Sequence, residues 1–328
     1  MLKGLFLLNS GSLDKIYGPE ERRDVKALID VYAPPQTAAS VAENPGVLAE
    51  AEVIMSGWGM AKLDEAFLAA APKLKAVFYG AGSIRGFATD AAWERGIMIT
   101  SAYAANAIPT AEFALAQILI SLKRGWYFNR LIRREGRYMP RERVAGAYGS
   151  KVGLISLGMI GAYVAKLLQA FDVKVLAYTS SADKAARLGA RQASLDEIFA
   201  QCDVVSLHTP WIPETVGMIT GAHLASMKQD ATFINTARGA VVREDELIAV
   251  LQQRPDLFAL LDVTYPEPPA EGSPLYTLPN VVLTPHIAGS LDNECRRMGR
   301  YAIRELEHYL KGEPQEWEIT REAAARLA

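Results

Sequence analysis

The sequence predicts an α/β protein with two doubly wound parallel sheets, and three observations carry that expectation. The chain has 328 residues, enough for about two domains at roughly 150 residues each. Short apolar runs alternate with amphipathic segments, the pattern of βαβ units. After a long apolar segment and a basic one, the alternation restarts at Lys151, so a second sheet is expected to follow the first.

In the first part, runs at 5–8, 51–55, 74–79 and 97–100 read as strands, with helical patterns at 20–30 and 63–71, the latter closed by Pro72. Gly57, Gly59, Gly80 and Gly82 cluster after two of these strands, where backbone without a Cβ can approach a ligand closely. A helix is expected at 110–122, with Pro109 at its start and Gly125 beyond its end. Phe113, Leu115, Ile118, Leu119 and Ile120 leave it without a polar face, so it should be buried between elements or between subunits. Trp126, Tyr127 and Phe128 follow, then Arg130, Arg133, Arg134 and Arg137. Their helical spacing, with Glu135 interleaved, reads as a solvated helix face rather than an anion site.

The second part offers strands at 152–156, 173–178, 204–207, 232–235, 258–263 and 281–284. Most are too apolar to have a wet face, as in a sheet covered by helices on both sides. A helix at 294–311 is stopped by Gly312 and Pro314, and a short last strand is expected at 317–320.

Composition narrows the class of protein. Half of the chain is hydrophobic, and 35 basic against 37 acidic side chains give a formal charge of -2. Such a balance, with no dense basic block, gives no reason to expect nucleic acid as a partner. Cys202 and Cys295 stand far apart, so neither a disulfide framework nor a cysteine metal site is expected, and a reducing cytoplasm fits. The apolar run at 4–8 is too short for a secretory segment. No apolar stretch is expected to approach the roughly 20 residues that span a bilayer.

In an open α/β sheet the ligand lies outside the carboxyl ends of the strands, so the residues just after each strand of the second half matter most. The first runs into Ser156-Leu157-Gly158-Met159-Ile160-Gly161, a G-x-G-x-x-G variant with serine in the first position. Gly158 would let backbone N–H groups reach a pyrophosphate, and Gly161 would permit close helix–strand packing, with the helix N-terminus adding positive partial charge. The second strand ends at Thr179, where an acidic residue usually reads the ribose, followed by Ser180 and Ser181. Later strands end at His208, at Thr236-Ala237-Arg238-Gly239, at Asp262 leading to Glu267, and at His286. An imidazole exchanges protons with an alcohol or ketone near neutral pH, a carboxylate beside it favours the imidazolium, and a guanidinium grips a substrate carboxylate through two parallel hydrogen bonds. These are the parts of a 2-hydroxy acid/2-oxo acid redox site, with a nicotinamide carrying the hydride. His223 and His308 sit in helical patterns expected to be exposed.

Over nearly its whole length the sequence resembles the D-isomer-specific 2-hydroxyacid dehydrogenase family, as a divergent branch near glyoxylate and hydroxypyruvate reductases. The matching stretches are 152–161, His208-Thr209-Pro210 with Pro213-Glu214-Thr215, 235–239, Asp262 with Pro266-Glu267-Pro268, and 278–286. The resemblance implies a flavodoxin-like substrate domain at 1–103 and 293–328, with a Rossmann dinucleotide-binding domain at 104–292 inserted in it. It implies Arg238, Glu267 and His286 as the catalytic trio. Ala81 and Gly82 would offer backbone N–H groups to the substrate carboxylate from the other domain. Asp262 would hold the nicotinamide carboxamide, and Gly158, Met159, Ile160, Gly161, Thr179, His208, Pro210, Thr215, Thr236 and Gly289 would contact the cofactor. The helix at 110–122 and the aromatic arm after it are similar to a homodimer contact, although an ordinary core helix reads the same way.

The departures are Ser156 for glycine, Thr179 for a ribose-binding aspartate, Ile84 where an aspartate is common, and Trp211-Ile212 for Leu-Thr. Trp211 lines a substrate pocket or packs on the surface, and the sequence leaves both open. Thr179 removes the charge that repels a 2′-phosphate, so NAD(P)H is the expected cofactor with a lean towards NADPH. Glu267 stands where a formate dehydrogenase has glutamine. A long phosphoglycerate dehydrogenase is not expected, because no regulatory domain follows Ala328. A dinucleotide-sensing corepressor on the same fold is the alternative from another functional class.

Overall fold

The protein is described from a computed structural model covering residues 1–325. The chain divides into two compact units. One takes Met1–Asn106 and the segment from Ser290 onwards, and the other takes Ala107–Gly289.

The first unit holds five parallel strands, β1 (Lys3–Leu7), β2 (Asp30–Val31), β3 (Val53–Ser56), β4 (Ala76–Tyr79) and β5 (Met98–Ser101), in the order β2-β1-β3-β4-β5. The Pro19–Leu28 helix starts on a proline, and Glu21 accepts the Gly18 N–H at 3.1 Å. This satisfies a donor that the helix itself leaves unpaired. The Cys295–Lys311 helix returns to this unit and buries Met298, Ala302, Ile303 and Leu306 with Phe6, Leu8 and Phe78. Close approach explains Gly299: a Cβ there would lie 2.1 Å from the Ile16 carbonyl oxygen. Arg300 seals the contact on nearly buried Glu21, at 2.8 Å. Ile84 joins Tyr79 and Phe87 in the core, a role an aspartate would not fill.

The second unit holds seven parallel strands: β6 (Lys151–Ile155), β7 (Lys174–Tyr178), β8 (Ala190–Gln192), β9 (Val204–Leu207), β10 (Thr232–Asn235), β11 (Phe258–Leu261) and β12 (Val281–Leu283). Their order is β12-β11-β10-β9-β6-β7-β8, so the winding reverses beside β6. Successive strand residues feed opposite cores. Ile155, Val205, Leu207 and Phe233 pack on one face, and Leu154, Val204, Ile234 and Leu260 on the other. Both faces are covered, which is why these strands read as unbroken apolar runs.

Several expectations change. The strands β2 and β8 are additions, because two or three residues carry no readable alternation. The segment at 317–320 makes only an isolated antiparallel bridge, Thr100 with Glu318. It is tied down by buried Glu305, which accepts the Glu316 and Trp317 N–H groups. The apolar helix begins at Tyr103 rather than at residue 110, with Pro109 inside it. Running through Leu122, it has 20 residues and a mean hydropathy of 1.3, long and apolar enough to cross a membrane, contrary to expectation. Half of that stretch is buried in protein, with Ala111, Ala114, Ile118 and Leu122 in the core. Finally, Gly125 opens the Gly125–Glu135 helix, which carries Arg130, Arg133 and Arg134 while Arg137 lies beyond its end, instead of merely following the helix before it.

Candidate active site at the carboxyl edge of the second sheet

The strand ends of the second unit bring most of the expected residues to one edge. After β6 the chain turns through Ser156 at φ +78°, a left-handed conformation that explains why glycine suits this place. Gly158 caps the Met159–Leu168 helix, and a Cβ added there would meet only the Ser156 hydroxyl, at 3.8 Å, so a ligand can approach its backbone. Gly161 serves packing instead: a Cβ would fall 2.1 Å from the Ser156 carbonyl oxygen. Met159 and Ile160 form the first turn of that helix, whose N–H groups and dipole favour an anion.

Thr179 follows β7, and its carbonyl accepts from Gln192 at 2.7 Å. Ser181 caps the next helix by accepting the Lys184 N–H at 3.1 Å. After β9, His208 is buried with neither ring nitrogen partnered among the described residues, and burial pushes its imidazole down to about 4. Its Cβ lies 3.5 Å from the position a Gly161 Cβ would take. The register that pairs Leu207 with Asn235 places His208 level with Thr236, whose buried hydroxyl is also left without a partner among those residues. Pro210 and Thr215 engage each other, the Thr215 hydroxyl donating to the Pro210 carbonyl at 2.6 Å, so they brace their own loop.

Arg238 follows β10, and buried Asn235 sets its turn. The Asn235 amide donates to the Arg238 carbonyl at 3.1 Å and accepts the Ala237 N–H at 3.0 Å. Arg238 donates to the Ala237 carbonyl at 2.6 Å. Gly239 allows the loop after β11 to lie against this turn, because a Cβ would meet the Thr264 and Tyr265 backbone at 2.0–2.5 Å. Glu244 accepts the Tyr265 N–H at 2.9 Å and fixes the same loop, and burial raises its carboxyl above the ordinary value. Two residues further on, Glu267 lies 2.6 Å from His286 Nδ1, with both side chains partly exposed.

His286 stands at φ +54°, a conformation that costs a non-glycine residue about 1–2 kcal/mol. Asp262, only 3% exposed, holds it there. Its carboxylate accepts the Thr284 hydroxyl at 2.5 Å and the Ile287 and Ala288 N–H groups at 2.8 and 2.9 Å, and its carbonyl accepts the His286 N–H at 3.0 Å. Gly289 follows this pinned turn. Asp262 therefore has a bracing role that the sequence did not disclose, since its partners lie 22–26 residues away.

Ala81 and Gly82 belong to the first unit, just after β4, and the Ser101 hydroxyl donates to their carbonyls at 2.9 and 2.6 Å. His223 is not exposed as expected: it stacks on Phe199 at 5.2 Å and accepts the Thr220 N–H at 3.2 Å. His308 pairs with Glu305 and Glu313 at 3.9 Å each.

The orphaned polar atoms of His208 and Thr236, the space before Gly158 and the helix N-terminus fit an extended polar ligand with a phosphate at the switch point. Fold and site together define a dinucleotide-binding α/β protein with an imidazole–carboxylate pair and an arginine at the same carboxyl edge of one sheet. Residues 115–288 match the D-isomer specific 2-hydroxyacid dehydrogenase NAD binding domain. The chain is 33% identical over 257 residues to a D-3-phosphoglycerate dehydrogenase of Archaeoglobus fulgidus, covering 77% of this chain and 48% of that protein. It is 33% identical over 258 residues to a glyoxylate reductase of Korarchaeum cryptofilum, covering 76% of this chain and 77% of the relative. A D-lactate dehydrogenase of Aquifex aeolicus, solved with NAD and lactic acid, is similar with a TM-score of 0.72 and 27% identity, over 94% of this chain and 96% of that one. The protein belongs to the D-isomer specific 2-hydroxyacid dehydrogenase family. It spans about half the length of the phosphoglycerate dehydrogenases it matches.

Proposed function

We propose that the protein interconverts a small 2-oxo acid and its D-2-hydroxy acid with a nicotinamide cofactor, with glyoxylate, hydroxypyruvate and pyruvate as the simplest candidates. The observation that carries this reading is the 2.6 Å contact between Glu267 and His286 at adjacent strand ends, beside the Arg238 turn. His286 gives a proton to the carbonyl oxygen during reduction and takes it back during oxidation. Glu267 favours the imidazolium and fixes the ring. Arg238 binds the substrate carboxylate and helps polarise the keto group. When bound, the nicotinamide supplies the hydride. The Gly158–Gly161 turn holds the pyrophosphate, with His208, Thr236, Pro210, Thr215, Asp262 and Gly289 along the remaining cofactor path. Two free, buried cysteines suit a cytoplasmic setting, and the partly covered Tyr103–Leu122 helix suits a homodimer.

NADPH is the preferred cofactor in this reading. Thr179 presents no carboxylate to a 2′-phosphate, and exposed Lys184 and Arg187 follow on the next helix. Oxidation of NADPH and NADH against a panel of 2-oxo acids tests both levels. Turnover of at least one acid, with kcat/KM higher for NADPH, is expected. Thr179→Asp should move the preference towards NADH. No turnover of any acid rejects the activity, and a parent that strongly prefers NADH rejects the cofactor preference alone.

A further inference from the structure

We infer that Trp211 and Tyr265 form the subsite that reads the substrate's side chain, and that the preferred 2-oxo acid carries an aromatic group on carbon 3. The inference rests on the reductase reading above. Trp211 follows β9 and Tyr265 follows β11, the two strands on either side of β10. Their rings meet edge to face at 5.6 Å, although each is well exposed, 37% for Trp211 and 56% for Tyr265.

Both loops rest on the turn that bears Arg238. From one side the Gly217 N–H donates to the Ala240 carbonyl at 2.9 Å. From the other, the Thr264–Tyr265 backbone packs against Gly239 and is pinned by Glu244. The aromatic pair therefore frames the turn of the carboxylate-binding arginine, and Tyr265 stands two residues from Glu267. The Thr215 hydroxyl braces the loop of Trp211 by donating to the Pro210 carbonyl and accepting the Ile212 N–H at 3.1 Å. Anchored backbones carrying exposed aromatic rings are built to receive a third apolar group. In a molecule gripped at its carboxylate, that group is the substituent beyond the keto carbon. Aromatic rings pack favourably edge to face or offset against such a pair.

The test compares phenylpyruvate with pyruvate as substrates of the full chain, in the parent and in Trp211→Leu, Trp211→Phe and Tyr265→Leu. The parent should favour phenylpyruvate. Trp211→Leu should lower the phenylpyruvate-to-pyruvate ratio of kcat/KM by about tenfold, mostly through KM, as loss of apolar contact in a pocket does. Trp211→Phe should restore most of that ratio, and Tyr265→Leu reports independently should Trp211→Leu fail to fold. NADPH dissociation constants, read by fluorescence, should stay within about twofold of the parent. A parent that favours pyruvate, or a ratio unmoved by the substitutions, overturns the inference. So does a shift confined to NADPH affinity, which would place the pair at the cofactor. Absence of turnover with every 2-oxo acid overturns the reductase reading as well, so the two failures are distinguishable.

Discussion

His208 shows how a single buried side chain couples the site to stability. The residue is 7% exposed, and burial lowers its imidazole from 6.5 to about 4. Between those values the unfolded chain binds more protons than the folded one, so stability falls as pH drops through this window and is fully present above pH 6.5. The loss by pH 4 amounts to about 3 kcal/mol. Urea midpoints at pH 5 and pH 7, measured without cofactor, should lie closer together in His208→Gln than in the parent. An equal separation in both would assign the acid sensitivity elsewhere. The neutral ring, without a partner among the described residues, was not readable from the sequence, which showed only a histidine after an apolar run.

At the scale of elements, the strands legible in the sequence are those buried on both faces. The runs ending at Leu207 and Asn235 are entirely buried and match their expected bounds. Short edge strands escaped notice, and so did the true start of the Tyr103–Leu122 helix, because Pro109 looked like a beginning. The candidate site was legible as residues at strand ends. Its bracing was not, because the Asp262 staple and the Gly239 approach join segments that only folding brings together. Asp262→Asn tests the staple. An amide keeps one acceptor and turns a donor towards backbone N–H groups, leaving buried groups unpaired at about 1–3 kcal/mol. The His286 loop should loosen and kcat should fall about 10–100-fold, since a small misplacement of a reacting group has that effect. NADPH affinity should change less than kcat. Urea denaturation and steady-state kinetics on the same preparation check this, and a fully stable variant with parental kcat would show that Asp262 is no such staple.

For the molecule as a whole, the winding order matters most. The parallel run of all seven strands puts the Gly158 turn, the His208 and Thr236 groups left without partners among the described residues, and the Arg238, Glu267 and His286 ends along one edge, and reversal of the winding beside β6 opens a crevice there. Family membership makes a nicotinamide dinucleotide the expected ligand of that edge, and the proposed choices of cofactor and substrate rest on Thr179 and on the Trp211–Tyr265 pair. The reaction proposed for this edge depends on His286 moving the proton. The most direct test is kcat for 2-oxo acid reduction in the parent and in His286→Gln, with NADPH affinity measured on both proteins. A loss of roughly 10²–10⁴ in kcat is expected, the usual contribution of a positioned acid–base group, with NADPH affinity retained. A folded, NADPH-binding His286→Gln protein that turns over at the parental rate would contradict that role.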